Sequence, residues 1–361
     1  MINLDQRISA FSKLGVYLMD VVNESEKIVK QPDTQASDFE KVMHDAVLQN
    51  PWFTRENCLS AFRQWAENLS ERKLKLWLKP YEKHLGESLS VHNVGVVNAG
   101  NLPLVGFHDF LSVIIAGHNY IGKNASDDSI LLPYVSDLFI RLNPEFAERI
   151  SFVNKLTRFE AVIATGNNNS ARYFEHYFGK VPHIIRKNRN GIAVLDGTES
   201  REQLQALGLD IFLYFGLGCR NVSKIYVPEN YNFSKFFESI LTYQDVMMHN
   251  KYMNNFDYNN TVFLLKQIPF LQNGFLIIKA DQSIASPIAV VHYEIYSNKN
   301  ELEEKLIVDR EKIQCIALSP EDSLRSVSLL SKICVDFGKT QFPGLNDYAD
   351  GMDTVEFLTS L

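Results

Sequence analysis

From Val91 onward the chain alternates short β-branched runs with helical stretches, and this alternation restricts the fold more than any other feature. The runs "VGVVNAG", "NYIGKN", "FEAVIATG" and "GIAVL" read as strands. Between them lie "FLSVIIAG", "LLPYVSDLFIRLNPEFAERI" and "ARYFEHYFG", which read as helices. Strands this apolar are buried on both faces, so helices must cover each side. The expected fold class is therefore α/β, with doubly wound parallel sheets. In such sheets ligands bind beyond the carboxyl ends of the strands, which nominates the loops "NAGN", "GKNAS" and "ATGNNNS".

A second alternating series starts near residue 190 and continues through "SKFFESILTYQ", "FLLKQIP", "GFLIIKA" and "IAVVHYEIY". Residues 1 to about 90 lack strand signals. There "LSAFRQWAENLSERKLKLWLKPY" spaces Leu59, Phe62, Trp65, Leu69, Leu74 and Trp77 as one amphipathic helix, closed by Pro80. "NKNELEEKLIVDREK" reads as a solvated helix, and the glycine-broken tail ends in a short apolar strand or helix. With 361 residues and no internal repeat, two domains are expected.

Composition excludes several classes. A net charge of −7 carries no basic footprint for nucleic acid. Cys58, Cys219, Cys315 and Cys334 form no CxxC pair and no zinc spacing, which argues against a disulfide frame or a metal site. The polar opening "INLDQR" is no signal peptide, and the longest apolar run, "LPLVGFHDFLSVIIAG", is broken by His108 and Asp109. A cytoplasmic protein without a membrane span is expected. The G-x-G-x-x-G, P-loop and H-E-x-x-H patterns are all absent.

The stretch "FLYFGLGCRNVSKIYVP" holds the strongest chemical candidate. Phe212–Phe215 reads as a short buried strand and Ser223–Val227 as a second. Gly216 and Gly218 free the backbone between them and would present Cys219 rather than bury it. The competing reading makes Cys219 a small core hydrophobe.

Four segments in order resemble the aldehyde dehydrogenase superfamily over about 130 residues (rough span of the matched segments). "NAGNLPL" resembles its asparagine–apolar–proline–leucine turn, and "AGHNYIGKNAS" its glycine-to-lysine strand, with Gly117 and Lys123 in the matching places. "IATG" resembles its Thr/Ser–Gly turn, and "GLGCRNVSKIYV" its catalytic cysteine segment. Within the superfamily, "FGLGCRNVSKIYVP" and "DYADGMDTVEFL" are most similar to the LuxC-type long-chain acyl-CoA reductases.

That resemblance implies two doubly wound α/β domains with a helical N-terminal region and a short C-terminal oligomerisation tail. The expected boundaries are 1–189 for the nucleotide-binding domain, 190–335 for the catalytic domain and 336–361 for the tail. It also implies reduction of a fatty acyl-CoA, or another acyl thioester, to the aldehyde, with NADPH and a cysteinyl thioester. Cys219 would be the nucleophile and the Asn101 amide an oxyanion donor. Lys123, Ser126, Thr165, Gly166 and Ser283 would face the cofactor. A homodimer and a partner enzyme that activates the acyl group are implied as well, although "HLGESLSVHNVGVV" leaves little room for a long dimerisation hairpin.

Two departures from the superfamily carry information. Aldehyde-oxidising members have a glutamate before the cysteine that activates water, whereas "HIIRKN" puts His183 there. Without that base an acyl-enzyme escapes hydrolysis, which suits reduction. His183 would ionise Cys219 or relay a proton, or simply fill a gap. Ser283 replaces a second glutamate that contacts the nicotinamide ribose. Ser126 stands where NAD-using members place a carboxylate, which favours NADPH, and a helix cap is the competing role for it. Asn101 as a turn residue, a short-chain CoA-acylating dehydrogenase, an acyl-phosphate reductase and a non-catalytic protein keeping the fold remain open.

Overall fold

The computed structural model describes residues 2–28, 38–86 and 90–361. It divides into two compact units, Met1–Lys187 with Gly344–Leu361, and Asn188–Pro343.

The first unit opens with helices α1 (Leu4–Ile28), α2 (Asp38–Gln49), α3 (Arg55–Asn68), α4 (Glu71–Leu78) and α5 (Glu82–Gly86). Helix α1 stacks Phe11, Leu14, Leu18 and Val22 on one fully buried face, the spacing an amphipathic helix requires. The run expected as one helix is two. Helix α3 starts at its Thr54 cap and stops at Asn68, and α4 restarts after Ser70. Serine competes for backbone groups and favours a helix start over a helix interior. Pro80 lies in a following 3₁₀ turn, Lys79–Tyr81, where its missing N–H costs nothing. Residues 87–89, within the segment expected to be too short for a hairpin, lie outside the described residues.

The sheet of this unit contains β1 (Asn93–Val97), β2 (Asn119–Lys123), β3 (Ile150–Phe152), β4 (Ala161–Thr165) and β5 (His183–Arg186). Its order is β3-β2-β1-β4-β5 and every pair is parallel. Helices α6 (Phe107–Ile115), α7 (Leu131–Leu142) and α8 (Asn168–Phe178) make the crossovers. The order reverses between β1 and β4, the switch point at which such sheets open a crevice. Phe11, Phe110 and Phe139 pack together, joining the helical region to the sheet's helices in one core.

In the second unit, β6 (Asn190–Val194) leads through α9 (Arg201–Phe212) to β7 (Val222–Pro228). Then come α10 (Phe233–Ser239), α11 (Asn250–Leu265), β8 (Leu271–Gln272), β9 (Ile277–Ala280), β10 (Val290–Tyr296), α12 (Lys299–Val308), β11 (Ile313–Ala317) and β12 (Cys334–Val335). The sheet order is β12-β11-β6-β7-β10-β9-β8, parallel except for the β8–β9 pair. Phe212–Phe215 is not the expected strand: Phe212 ends α9 and Leu213–Gly216 is a 3₁₀ turn. The capping box of Ser200 and Gln203 starts a helix strongly enough to carry its apolar end past any strand preference.

The last residues return to the first unit as α13 (Thr354–Thr359). Leu345, Val355 and Leu358 join its core. His108 and His118 donate from Nε2 to the Leu345 and Leu358 carbonyls at 3.0 and 2.9 Å. Arg186 clamps Asp109 with two bonds of 2.6 and 2.8 Å and donates to Thr354 at 2.9 Å. Among the described residues, no helix is long and apolar enough to cross a membrane.

Candidate active site

In the first unit, five candidates collect on the carboxyl edge of the sheet. Asn101 is exposed on the loop after β1, Lys123 ends β2, Ser126 is exposed on the following loop, and Thr165 and Gly166 close β4. The first two loops are joined, because Asn98 donates from its backbone to Lys123 O at 2.9 Å and from its amide to Asn124 at 2.9 Å. Thr165 Oγ1 accepts a long bond of 3.4 Å from Arg186, whose carbonyl faces the Gly166 N–H at the same distance. Helix α8 then begins at Asn167, whose side chain accepts from Ser170 N at 2.8 Å.

Ser126 is not the cap of α7. The N-cap residue is Ile130, and the Asp128 carboxylate accepts from Leu131 N at 3.2 Å. Burial pushes the Asp128 carboxyl up to about 6. The Ser126 hydroxyl instead lies 3.4 Å from Asp127 Oδ1.

His183 does not join the other candidates of this unit. It is the first residue of β5, paired with Val162, at the amino edge of the sheet. Its Nδ1–H donates to Val181 O at 2.8 Å and its Nε2 lies 3.7 Å from Glu175. Arg186 occupies the carboxyl end of β5 instead.

The second unit carries Cys219, the one exposed cysteine of the four. Burial pushes the thiols of Cys58 and Cys334 up to about 12 and about 11, away from thiolate chemistry. The loop before Cys219 turns through three left-handed residues, Tyr214 and Phe215 at φ 57° and Gly216 at φ 78°. Glycine takes this conformation freely, but each bulky residue there costs about 1–2 kcal/mol. Burial of both aromatic rings, with the Phe215 ring 4.2 Å from the tilted His249 ring, offsets that cost.

Asn221 fixes the far side of the loop. It accepts from Gly218 N at 2.8 Å and donates to the carbonyls of Asp210 at 3.1 Å and Leu213 at 2.7 Å. One buried amide therefore ties the end of α9 to the residue before Cys219. Arg220 is held from another direction, its Nε–H donating to Thr340 O. Asp210 anchors that segment by accepting from Gly338 N, Thr340 N and Thr340 Oγ1 at 2.7 to 2.9 Å.

Ser283 lies on the 281–289 connection, which folds onto the start of β7. Ser223 donates to Ile284 O at 2.8 Å, Lys224 to Gln282 O at 2.7 Å, and His292 to Ser283 O at 3.0 Å. The structure thus anchors the Ser283 loop four residues beyond Cys219, at Ser223. Lys224 is fully buried against Glu294 and above the Tyr226 ring, so it is a structural cation rather than a ligand for phosphate. Among the described residues, no group of three or more His, Cys, Asp or Glu side chains could hold a metal ion.

Sequence reasoning missed Asn221, Asp210, Asp128 and Arg186. Asp210 was detectable as a lone acid in the apolar run "LGLDIFLYF", since a buried carboxylate needs donors. Asn221 had a weaker signal, an asparagine where a helix and a strand meet. The partners of Arg186, Asp109 and Thr354, lie too far along the chain to be guessed.

No family model matches the sequence, and a search of curated proteins finds no match. Solved structures do match. Aldehyde dehydrogenase 21 from Physcomitrella patens, solved with the reaction product succinate, is 12% identical, with a TM-score of 0.64 over 99% of this chain and 88% of that one. An indole-3-acetaldehyde dehydrogenase solved with NAD+ is 11% identical, with a TM-score of 0.65 over 93% of this chain and 76% of that one. An NADP-dependent enzyme of E. coli is 10% identical, with a TM-score of 0.63 over 93% and 78%. The chain has the mixed α/β aldehyde dehydrogenase fold that its motifs resemble, with parallel sheets and a helical N-terminal region.

Proposed function

We propose that this chain reduces an acyl thioester, such as a fatty acyl-CoA, to an aldehyde through a cysteinyl thioester. The observation that carries the reading is the exposed Cys219 on a loop clamped by Asn221 and Arg220. A scaffold that kept only the fold would need neither an exposed thiol nor a buried amide spent on presenting it.

A nicotinamide cofactor fits the residues at the carboxyl edge of the first sheet. They offer a lysine ammonium, a threonine hydroxyl and a helix start, a donor set for phosphate groups. Lys123, Thr165 and Gly166 would hold it. When bound, it supplies the hydride that reduces the cysteinyl thioester. NADPH is the preferred form in this reading, because Lys123 can pair with the 2′-phosphate and no carboxylate stands at position 126.

Cys219 Sγ attacks the acyl carbonyl carbon as its thiolate. The bond from that carbon to the coenzyme A sulfur breaks, and the leaving thiolate takes up a proton. Arg220 supplies positive charge beside the nucleophile. The Cys219 backbone N–H is the proposed donor to the oxyanion, aimed before the charge develops. His183 has no part in this scheme, since its ring is engaged at the amino edge of its sheet. No carboxylate lies in residues 183–188 to activate water, which supports reduction over hydrolysis. A fatty-acid-activating enzyme would supply the acyl group, and the chain would act as a homodimer.

A series of acyl-CoAs of increasing length, each assayed for NADPH oxidation and aldehyde release, tests the reading. Turnover with at least one member is expected. Oxidation of free aldehyde to acid, with no turnover of any thioester, would replace it with the oxidative reaction.

A further inference from the structure

We infer that Asp210 is a positioning residue for the nucleophile: through the 338–340 segment it fixes the guanidinium of Arg220, the residue after Cys219, and so favours the thiolate. The inference rests on the reading of Cys219 as the reactive thiol, and all of its geometry lies within the second unit. The Asp210 side chain, 1% exposed, accepts from Gly338 N at 2.7 Å through Oδ2. Its Oδ1 accepts from Thr340 N at 2.9 Å and from Thr340 Oγ1 at 2.8 Å. The Thr340 carbonyl in turn accepts from Arg220 Nε–H. One buried carboxylate therefore reaches the neighbour of Cys219 through a single intervening residue.

Gly338 seats this segment on α9. It is left-handed at φ 79°, and a Cβ there would stand 3.1 Å from the Ala206 Cβ, so glycine permits both the turn and the approach. The main chain around Arg220 is held separately. Its carbonyl accepts from Cys315 Sγ at 3.6 Å, and Asn221 O accepts from Gly191 N at 3.1 Å. With that backbone fixed, the bond to Thr340 decides where the guanidinium lies. A charge at position 210 is otherwise unfavourable. The residue is third from the end of α9, where the helix dipole opposes an anion, and burial opposes it too. The donors it gathers belong to the 338–340 segment, and they account for a carboxylate in such a place. Burial raises that carboxyl to about 6 while Gly338, Thr340 and the charge of Arg220 pull it down, and Tyr243 also faces it.

The test is the pH profile of Cys219 alkylation by iodoacetamide, read by peptide mass. Below the thiol pKa the rate follows the thiolate fraction, and above it the rate reports intrinsic reactivity and access. Asp210→Asn turns one accepting oxygen into an amide N–H group facing the Gly338 N–H, which releases the segment. It should slow alkylation at neutral pH about fivefold or more and move the midpoint of the profile upward, with the high-pH plateau unchanged. Thr340→Val keeps the side-chain shape but loses the Oγ1 bond, and should move the midpoint the same way by less. In the Arg220→Ala background, Asp210→Asn should change the rate less than about twofold.

A lowered plateau with an unmoved midpoint would make Asp210 purely structural and overturn the inference. An equal fold-effect of Asp210→Asn with and without Arg220 would overturn it as well, since the carboxylate would then act by another route. If Asp210→Asn does not fold, Thr340→Val with and without Arg220→Ala is judged by the same two criteria. If the midpoint moves as described but wild type takes no acyl group from an acyl-CoA, the proposed reaction fails while the positioning role stands.

Discussion

Cys219 owes its presentation to its neighbours. Asn221 satisfies a Gly218 N–H and several carbonyls at the end of α9, and none of these has water as a ready substitute in a buried turn. Asn221→Ala should lower stability by about 1–3 kcal/mol, the cost of stranded buried polar groups. It should also slow Cys219 acylation at least tenfold. Denaturant unfolding and single-turnover acylation measure the two effects, and acylation at the wild-type rate would show that the clamp is dispensable.

Asp210 gives a pH signature. Burial raises its carboxyl to about 6 in the folded chain, above the unfolded value near 4. The folded state therefore binds this proton more tightly, and stability is lost as pH rises from about 4 to 6. The loss approaches about 3 kcal/mol once both states are ionised, because two pKa units separate them. Asparagine cannot ionise, so the stability of Asp210→Asn relative to wild type should rise across that window and level off above it. A difference that stays constant with pH would place the charge elsewhere.

At the scale of elements, the C-terminal segment acts as a strap on the first unit. The Arg186–Asp109 pair joins the end of β5 to α6 and reaches Thr354 of α13, almost free of solvent. Asp109→Ala should cost about 3–5 kcal/mol, since it leaves a buried guanidinium uncompensated. Asp109→Leu combined with Arg186→Met should cost clearly less. Equal costs in denaturant titrations would show that the pair is not coupled.

The loop after β2 makes its own prediction. Ser126→Glu should weaken NADPH binding more than NADH binding, by about 1 kcal/mol or roughly fivefold for a solvated contact. Because Asp128 and not Ser126 accepts from Leu131 N at the start of α7, the substitution leaves the helix start intact. Titrations of both cofactors read it, and equal weakening of the two would remove Ser126 from cofactor choice.

Over the whole molecule, the sequence was legible where structure is local. The strands "VGVV", "NYIGK" and "AVIAT" announce themselves by β-branching and by the turns after them, and they bring Asn101, Lys123 and Thr165 to one edge. β3 and β5 were hidden because three or four residues give too little periodicity to read. Phe212–Phe215 reads as strand from sequence but forms the end of α9 and a 3₁₀ turn, because tertiary contacts that bury its aromatic residues outweigh their β preference. His183 was matched by its distance from Cys219, but spacing cannot tell which end of a strand a residue occupies. The strap was invisible for a related reason, as its partners Trp77, His108, His118 and Arg186 lie far from it in sequence.

In the proposed reaction Cys219 carries the acyl group, and intact mass measurement tests this. Wild type mixed with a fatty acyl-CoA in the absence of cofactor should gain the mass of one acyl group, mapped to Cys219 by peptide analysis. Addition of NADPH should discharge that adduct with one equivalent of aldehyde. Cys219→Ala should gain no acyl mass while unfolding as wild type does. An adduct on another residue, or one that leaves as free acid without NADPH oxidation, would rule out Cys219 as the acyl carrier of a reductase.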